Sequence, residues 1–200
     1  MKKIFISLLV LLSGTALFAQ TIELTPIFGY TVAGKVDNYG RYFNVKDNAL
    51  YGGLLSVQFD DFMFAEISYE RNDTKGSTFL QTVDLAVEHY QFGLLREFSA
   101  GTVVPFTKVS FGTSRYVQKS GGDERAWLFS AGIGAGAKLL LSDRVGLRLF
   151  TNLMLPLEFD GAGFWCGIGS GGSGCSGGVN FNVPIVHWDL GAGLIIRLQN

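Results

Sequence analysis

The chain has 200 residues, with 16 lysines and arginines against 17 aspartates and glutamates, so its net charge is −1. That balance supplies no basic stripe for a nucleic acid, and two cysteines with two histidines are too few to suggest a metal cluster. Glycine and phenylalanine are abundant, at 27 and 17, whereas the 4 prolines leave long stretches free to form ladders.

The chain opens MKKIFISLLVLLSGTALFAQ. Lys2 and Lys3 precede an apolar run from Ile4 to Leu12, and Ala16 to Ala19 supplies a small-residue exit, with Leu17 three positions before the expected cut. The pattern predicts a secretory signal peptide over residues 1–19 rather than a spanning helix or a buried N-terminal helix. No lipobox cysteine stands near the cut, so lipid anchoring is not expected. The remainder, residues 20–200, has the length of one domain, in a compartment where two cysteines can pair. After residue 19 no apolar run approaches the ~20 residues a membrane helix requires. A β-barrel needs no such run, because its apolar surface is hidden in alternation.

Eight runs of period two follow in order. In residues 22–32, Leu24, Pro26, Phe28, Tyr30 and Val32 oppose Glu23, Thr25 and Thr31. Residues 49–59 set Tyr51, Leu55 and Val57 against Ser56 and Gln58, and end in Asp60-Asp61. Residues 62–71 alternate Ala65, Ile67 and Tyr69 with Glu66, Ser68 and Glu70. A fourth, less regular run lies within 84–98; the fifth, 104–116, opposes Val109 and Phe111 to Lys108 and Ser110. In the sixth, 127–139, Trp127, Phe129, Ala131, Ile133, Ala135 and Ala137 face one way and Ser130 and Lys138 the other. The seventh, 145–155, sets four leucines against Arg148 and Asn152; the eighth, 183–198, sets Trp188, Leu190, Leu194, Ile196 and Leu198 against His187, Asp189 and Arg197.

Most of these runs are 10 to 15 residues long. Ordinary strands average ~5–6 residues, whereas a tilted membrane strand takes ~9–11. Connections at 60–61, 99–103 and 141–144 are short; those at 34–48, 72–83, 117–126 and 158–182 are long, the alternation of an outer-membrane barrel with long loops outside the cell. One parity is nearly all apolar and the other carries charge, the inverse of a soluble lipocalin-type barrel. A soluble sheet could hide such a face only against a second sheet. The prediction is an all-β chain: an eight-stranded antiparallel up-and-down transmembrane β-barrel. Tyr30, Tyr51, Tyr69, Trp127, Phe129 and Trp188 fall towards the ends of runs on the outward parity, where interfacial girdles form.

The inward parity collects Glu66, Glu70, Lys108, Lys138, Arg148, His187, Asp189 and Arg197. Eight strands enclose room for little beyond side chains, and buried charges persist when paired. The set therefore reads as an ion-paired plug, with Glu66 and Glu70 as partners for Lys108 and Arg148. A narrow passive pore for small solutes is the alternative. His187 and Asp189 share a strand face, as the acid and base of a lipid-acting hydrolytic site would, but no serine stands in a nucleophile motif. His89 beside Glu88 has no better context. No catalytic residue, cofactor-binding residue or metal ligand is assigned.

GFWCGIGSGGSGCSGG, residues 163–178, holds Cys166 and Cys175 in a segment that is half glycine. It has no GK[ST] and no following helix pattern, so it is not a phosphate loop. As the last outer loop it reads either as a disulfide-closed cap or as a recognition loop presenting Phe164 and Trp165.

SAGIGAGAKLLLSDRVGLRL, residues 130–149, and WDLGAGLIIRL, residues 188–198, resemble the porin-family outer-membrane β-barrel domain common in Bacteroidetes, akin to OmpX-like and OmpA transmembrane barrels. LFAQ before the expected cut also resembles signal peptides of that phylum. The resemblance implies a Gram-negative outer-membrane location after export and a structural or surface-recognition role without enzymatic activity. It also implies a monomer among outer-membrane lipid and lipopolysaccharide, handled during biogenesis by periplasmic chaperones and the barrel-assembly machinery, with a host or cell-surface ligand as a partner. It supplies no shared catalytic residues. The chain departs from the group in ending RLQN rather than in phenylalanine, and in carrying the Cys166 and Cys175 loop.

Overall fold

A computed structural model describes residues 21–33, 35–38, 41–77, 82–119, 125–169, 172–182 and 186–198; over 35–45, 76–83, 118, 125–126 and 158–182 only the backbone is considered. The expected signal peptide and its cut at residue 19 lie outside the described residues.

Eleven strands form: β1 (Ile22–Ala33), β2 (Lys35–Asn38), β3 (Arg41–Val45), β4 (Asn48–Asp60), β5 (Met63–Ser77), β6 (Thr82–Glu97), β7 (Val103–Gln118), β8 (Arg125–Leu140), β9 (Val145–Gly169), β10 (Gly172–Asn182) and β11 (His187–Leu198). Eight of them close a circuit, every pair antiparallel: β1–β4–β5–β6–β7–β8–β9–β11 and back to β1. Closure is what lipid demands, since an open edge would strand backbone donors and acceptors in hydrocarbon.

The eight alternating runs are the eight barrel strands, with the predicted parity. Along β1, Glu23, Thr25 and Thr31 are buried while Leu24, Phe28, Tyr30 and Val32 are exposed. Along β11, His187 and Asp189 are buried while Trp188, Leu190 and Leu194 are exposed. Exposed large apolar side chains recur on all eight strands, so the apolar face is the outer wall.

Three short connections cluster at the end that holds Ile22 and Leu198. Asp60 and Asp61 turn β4 into β5, with the Asp61 amide donating to Oδ1 of Asp60. Residues 98–102 turn β6 into β7, and Gly101 there has φ 138°, a conformation that excludes a side chain. Residues 141–144 turn β8 into β9, tied by Ser142 Oγ, which accepts from the Val145 amide at 3.1 Å.

The other end departs from the sequence reading, which places long loops at 34–48, 72–83 and 158–182. Much of that chain is strand. β2 and β3 form a hairpin, β5 and β6 stay paired to Ser77 and Thr82, and β9 and β10 form a hairpin that runs beyond the wall. Beyond the lipid level both faces of a strand meet water, so alternation no longer marks it.

The interior is less polar than the sequence suggests. Ile27, Leu50, Leu54, Phe64, Leu95, Phe106 and Phe150 form one buried apolar cluster inside the barrel. Strand crowding is tight at Gly52 and Gly112, where a Cβ would lie 2.0 Å from the Tyr69 and Tyr90 carbonyl oxygens respectively.

Candidate functional site

The lumen holds two ion-pair clusters and a ring of hydrogen bonds. At the short-turn end, Lys138 from β8 reaches Glu23 of β1 at 2.6 Å and Glu97 of β6 at 2.7 Å. Arg197 from β11 bonds Glu23 through Nε and Nη2, both at 3.0 Å. The Lys138 ammonium also lies 4.1 Å from the Phe64 ring centroid. Two acids and two bases so neutralise each other across four strands. The sequence reading lists Lys138 and Arg197 but not their partners. Glu23 is on the inward parity and Glu97 closes an irregular run, so only Glu23 carried a visible signal.

The second cluster centres on Glu66 of β5. Lys108 of β7 donates to it at 2.9 Å, and both terminal nitrogens of Arg148 of β9 contact it. Ser56 Oγ donates to the same carboxylate at 2.9 Å. The Arg148 guanidinium lies 4.5 Å from the centroid of Phe106. Glu66, Lys108 and Arg148 are each almost wholly buried. Three strands facing one another across the lumen are thereby bolted together.

Glu70 differs from the expected pairing. It bonds neither Lys108 nor Arg148; Asn152 Nδ2 donates to its Oε1 at 3.4 Å, and Oε2 has no hydrogen-bond partner. The physical reason is competition: Glu66 already occupies both cations. Asp189 accepts from Thr31 Oγ1, and its other oxygen is unpartnered.

His187 does not pair with Asp189. Its Nε2 meets the Tyr116 hydroxyl at 3.0 Å, and its ring packs edge-on to His89 with centroids 5.3 Å apart. His89 Nδ1 lies 2.7 Å from Ser114 Oγ. This serine–histidine contact was not legible, because the residues stand 25 apart on neighbouring strands in no motif. Both are buried, and no acid hydrogen-bonds the imidazole of His89 among the described residues, so the pair has neither an orienting group nor a substrate-facing surface. Among the described residues no group of three or more His, Cys, Asp or Glu is placed to hold a metal.

A recess of about 190 Å³ opens at the short-turn end, lined by Thr21, Asp61, Phe64, Glu97, Ser99 and Arg197 among others. It meets the lower ion-pair cluster. In the outer hairpin Cys175 stands directly opposite Cys166 in the β9–β10 register, with Trp165 opposite Ser176 and Phe164 opposite Gly177. The side chains of these four predicted residues (Phe164, Trp165, Cys166 and Cys175) lie outside the described residues.

On the outer wall the tyrosines and tryptophans gather near the long-hairpin end, whereas the exposed Phe59, Phe62 and Phe98 stand at the short-turn end. Tyr69 and Tyr90 rings are 5.1 Å apart, and Tyr90 and Trp127 rings 6.0 Å apart. On the opposite side Trp188 Nε1 donates to Thr151 Oγ1 at 2.7 Å, which satisfies the indole donor on an apolar surface.

A closed wall that is apolar outside, with paired charges inside and aromatics towards both rims, defines a transmembrane β-barrel of the outer-membrane type. Solved structures with this fold are correspondingly similar. Neisserial surface protein A aligns with a TM-score of 0.63 at 12% identity, over 90% of this chain and 99% of that one. The outer membrane protein OprG from Pseudomonas aeruginosa gives 0.57 at 11% identity, over 92% and 97%. The N-terminal β-barrel domain of Pseudomonas aeruginosa OprF gives 0.53 at 14%, over 89% and 97%. No protein-family model matches the chain, and no curated protein matches it.

Proposed function

We propose that this chain is a non-enzymatic barrel of the Gram-negative outer membrane, with a closed lumen, whose β9–β10 hairpin recognises a ligand at the cell surface. The single observation that carries the reading is the contrast between a lumen filled by paired charges and a hairpin that continues past the wall. A closed interior leaves the projecting elements as the part of the molecule that can meet a partner. Glycine and serine make up most of residues 167–178, so the hairpin presents backbone and few bulky groups, with Phe164 and Trp165 midway along its ladder as anchors.

The enclosed Ser114 and His89 favour the non-enzymatic reading, because a substrate needs contact with a nucleophile. The Glu66 cluster favours a closed barrel over a passive pore.

The test compares intact cells carrying the wild-type chain with cells whose residues 163–178 are replaced by a short turn. Adhesion to host cells and to neighbouring bacteria falls in the second strain while the barrel still inserts. Equal adhesion and equal envelope integrity in both strains remove the recognition role and leave a structural barrel.

A further inference from the structure

Among the residues whose side chains are described, charge on the outer wall is confined to one sector near the hairpin end and to Arg96 at the opposite end, and the outward positions of β1, β4, β8, β9 and β11 carry none. On β5, β6 and β7, in contrast, Arg71, Glu88 and Arg115 occupy the outward parity. They are successive cross-strand partners, and Tyr51 and Trp127 extend the same row at either side. Glu88 receives Arg71 at 2.9 Å and Arg115 at 3.2 Å. Asp73 receives Arg71 at 3.0 Å, Lys119 at 2.8 Å and the Tyr51 hydroxyl at 2.9 Å. The Arg115 guanidinium lies 5.4 Å from the Trp127 centroid.

Full charge on a lipid-facing wall is tolerated at headgroup depth and costly below it. Glu88 and Arg96 are eight positions apart on β6, with Tyr90, Phe92 and Leu94 outward between them. Eight residues span roughly 27 Å along a strand, or about 20 Å along the axis at a tilt near 40°. The Arg71–Glu88–Arg115 row therefore marks the outer edge of the apolar band, and Arg96 the inner edge. What adjoins the row from outside is the headgroup layer of the outer leaflet.

Among the described side chains four cations, Arg71, Lys75, Arg115 and Lys119, stand in this sector against three carboxylates, Asp73, Asp84 and Glu88, an excess of one positive charge. The Nε–H of Arg115 is a buried donor with no hydrogen-bond partner, while the Lys119 side chain is 41% exposed. The pairs with Glu88 and Asp73 hold the guanidinium groups in place, so their remaining donors are fixed in direction.

We infer that this sector binds a phosphate group of an outer-leaflet glycolipid, held by Arg115 and Lys119 with Arg71 beside them, its acyl chains lying against the outward face of β6 and β7. A phosphate accepts from arginine and lysine together, and the flanking Tyr51 and Trp127 suit the same interfacial depth. The site rests on placement of the barrel in the outer membrane and is independent of the hairpin's role.

The experiment uses the folded chain in phosphatidylcholine nanodiscs containing either bisphosphorylated or dephosphorylated lipid A, with retained lipid counted by native mass spectrometry. The wild type retains the bisphosphorylated form. Lys119→Gln, which leaves the Glu88 pairs untouched, and Arg115→Gln each lower retention about tenfold, the worth of one charge-assisted contact. Arg96→Gln, at the opposite edge, leaves it unchanged. Equal retention of the two lipids by the wild type, or no loss in folded Lys119→Gln and Arg115→Gln, overturns the inference. A chain that does not enter nanodiscs contradicts the membrane placement instead, and that failure is read separately.

Discussion

Glu66 is the residue on which the interior depends. It takes both Lys108 and Arg148, and a serine hydroxyl besides, in a volume from which water is largely excluded. Removing one member of such a group leaves buried charge without compensation, which costs about 3–5 kcal/mol, more than the pair itself contributes. Glu66→Gln is expected to lower unfolding stability by that order in denaturant titrations of vesicle-inserted protein followed by tryptophan fluorescence. Glu70→Gln, which removes a carboxylate bonded only by Asn152, is expected to cost less or to stabilise. Equal loss in the two variants contradicts the assigned pairing. Parity carried the face of these side chains: of the eight charged or histidine residues assigned inward, seven are buried and Arg197 bonds the buried Glu23. The pairing was not legible, because facing strands bring together residues as far apart as Glu66 and Arg148, 82 positions along the chain. Parity fixes a side chain's face but carries no information on which opposite strand it meets.

At the level of elements, the alternation located each barrel strand to within a few residues and missed its outer extension. β9 illustrates why. From Val145 to Leu155 it alternates leucine with Arg148 and Asn152, and there the reading holds. Beyond residue 157 the outer face no longer meets lipid, glycine replaces leucine, and the chain remains paired while its sequence resembles a loop. The opposition of Cys166 and Cys175 gives the former cap reading a more definite form. Directly opposed antiparallel residues have Cα atoms about 4.5–5.5 Å apart, inside the range of a disulfide. A bond there closes a loop of about ten residues and stabilises the hairpin by roughly 2–3 kcal/mol. Mass spectrometry of the unreduced protein is expected to show two hydrogens fewer than the reduced form, and the Cys166→Ser, Cys175→Ser double variant to insert normally but to be cleaved faster in the hairpin by added protease. Two free thiols in the exported protein contradict the pairing.

The whole molecule is organised by one inversion, apolar outside and charged inside, and that inversion was written in the sequence before any contact was known. Run length distinguished membrane strands from globular ones, and even strand number put both ends of the barrel chain on the short-turn side. The buried apolar cluster of Ile27, Leu50, Leu54, Phe64, Leu95, Phe106 and Phe150 escaped notice, because inward apolar residues weaken the alternation that reveals the barrel. Two of them meet the ion-pair clusters directly: Phe64 stacks on the Lys138 ammonium and Phe106 on the Arg148 guanidinium. The closed lumen proposed above has a direct electrical consequence. Planar-bilayer recording of the folded wild-type chain measures it: the barrel inserts without stable, reproducible open levels, and stable open levels from the wild type would contradict the closed interior.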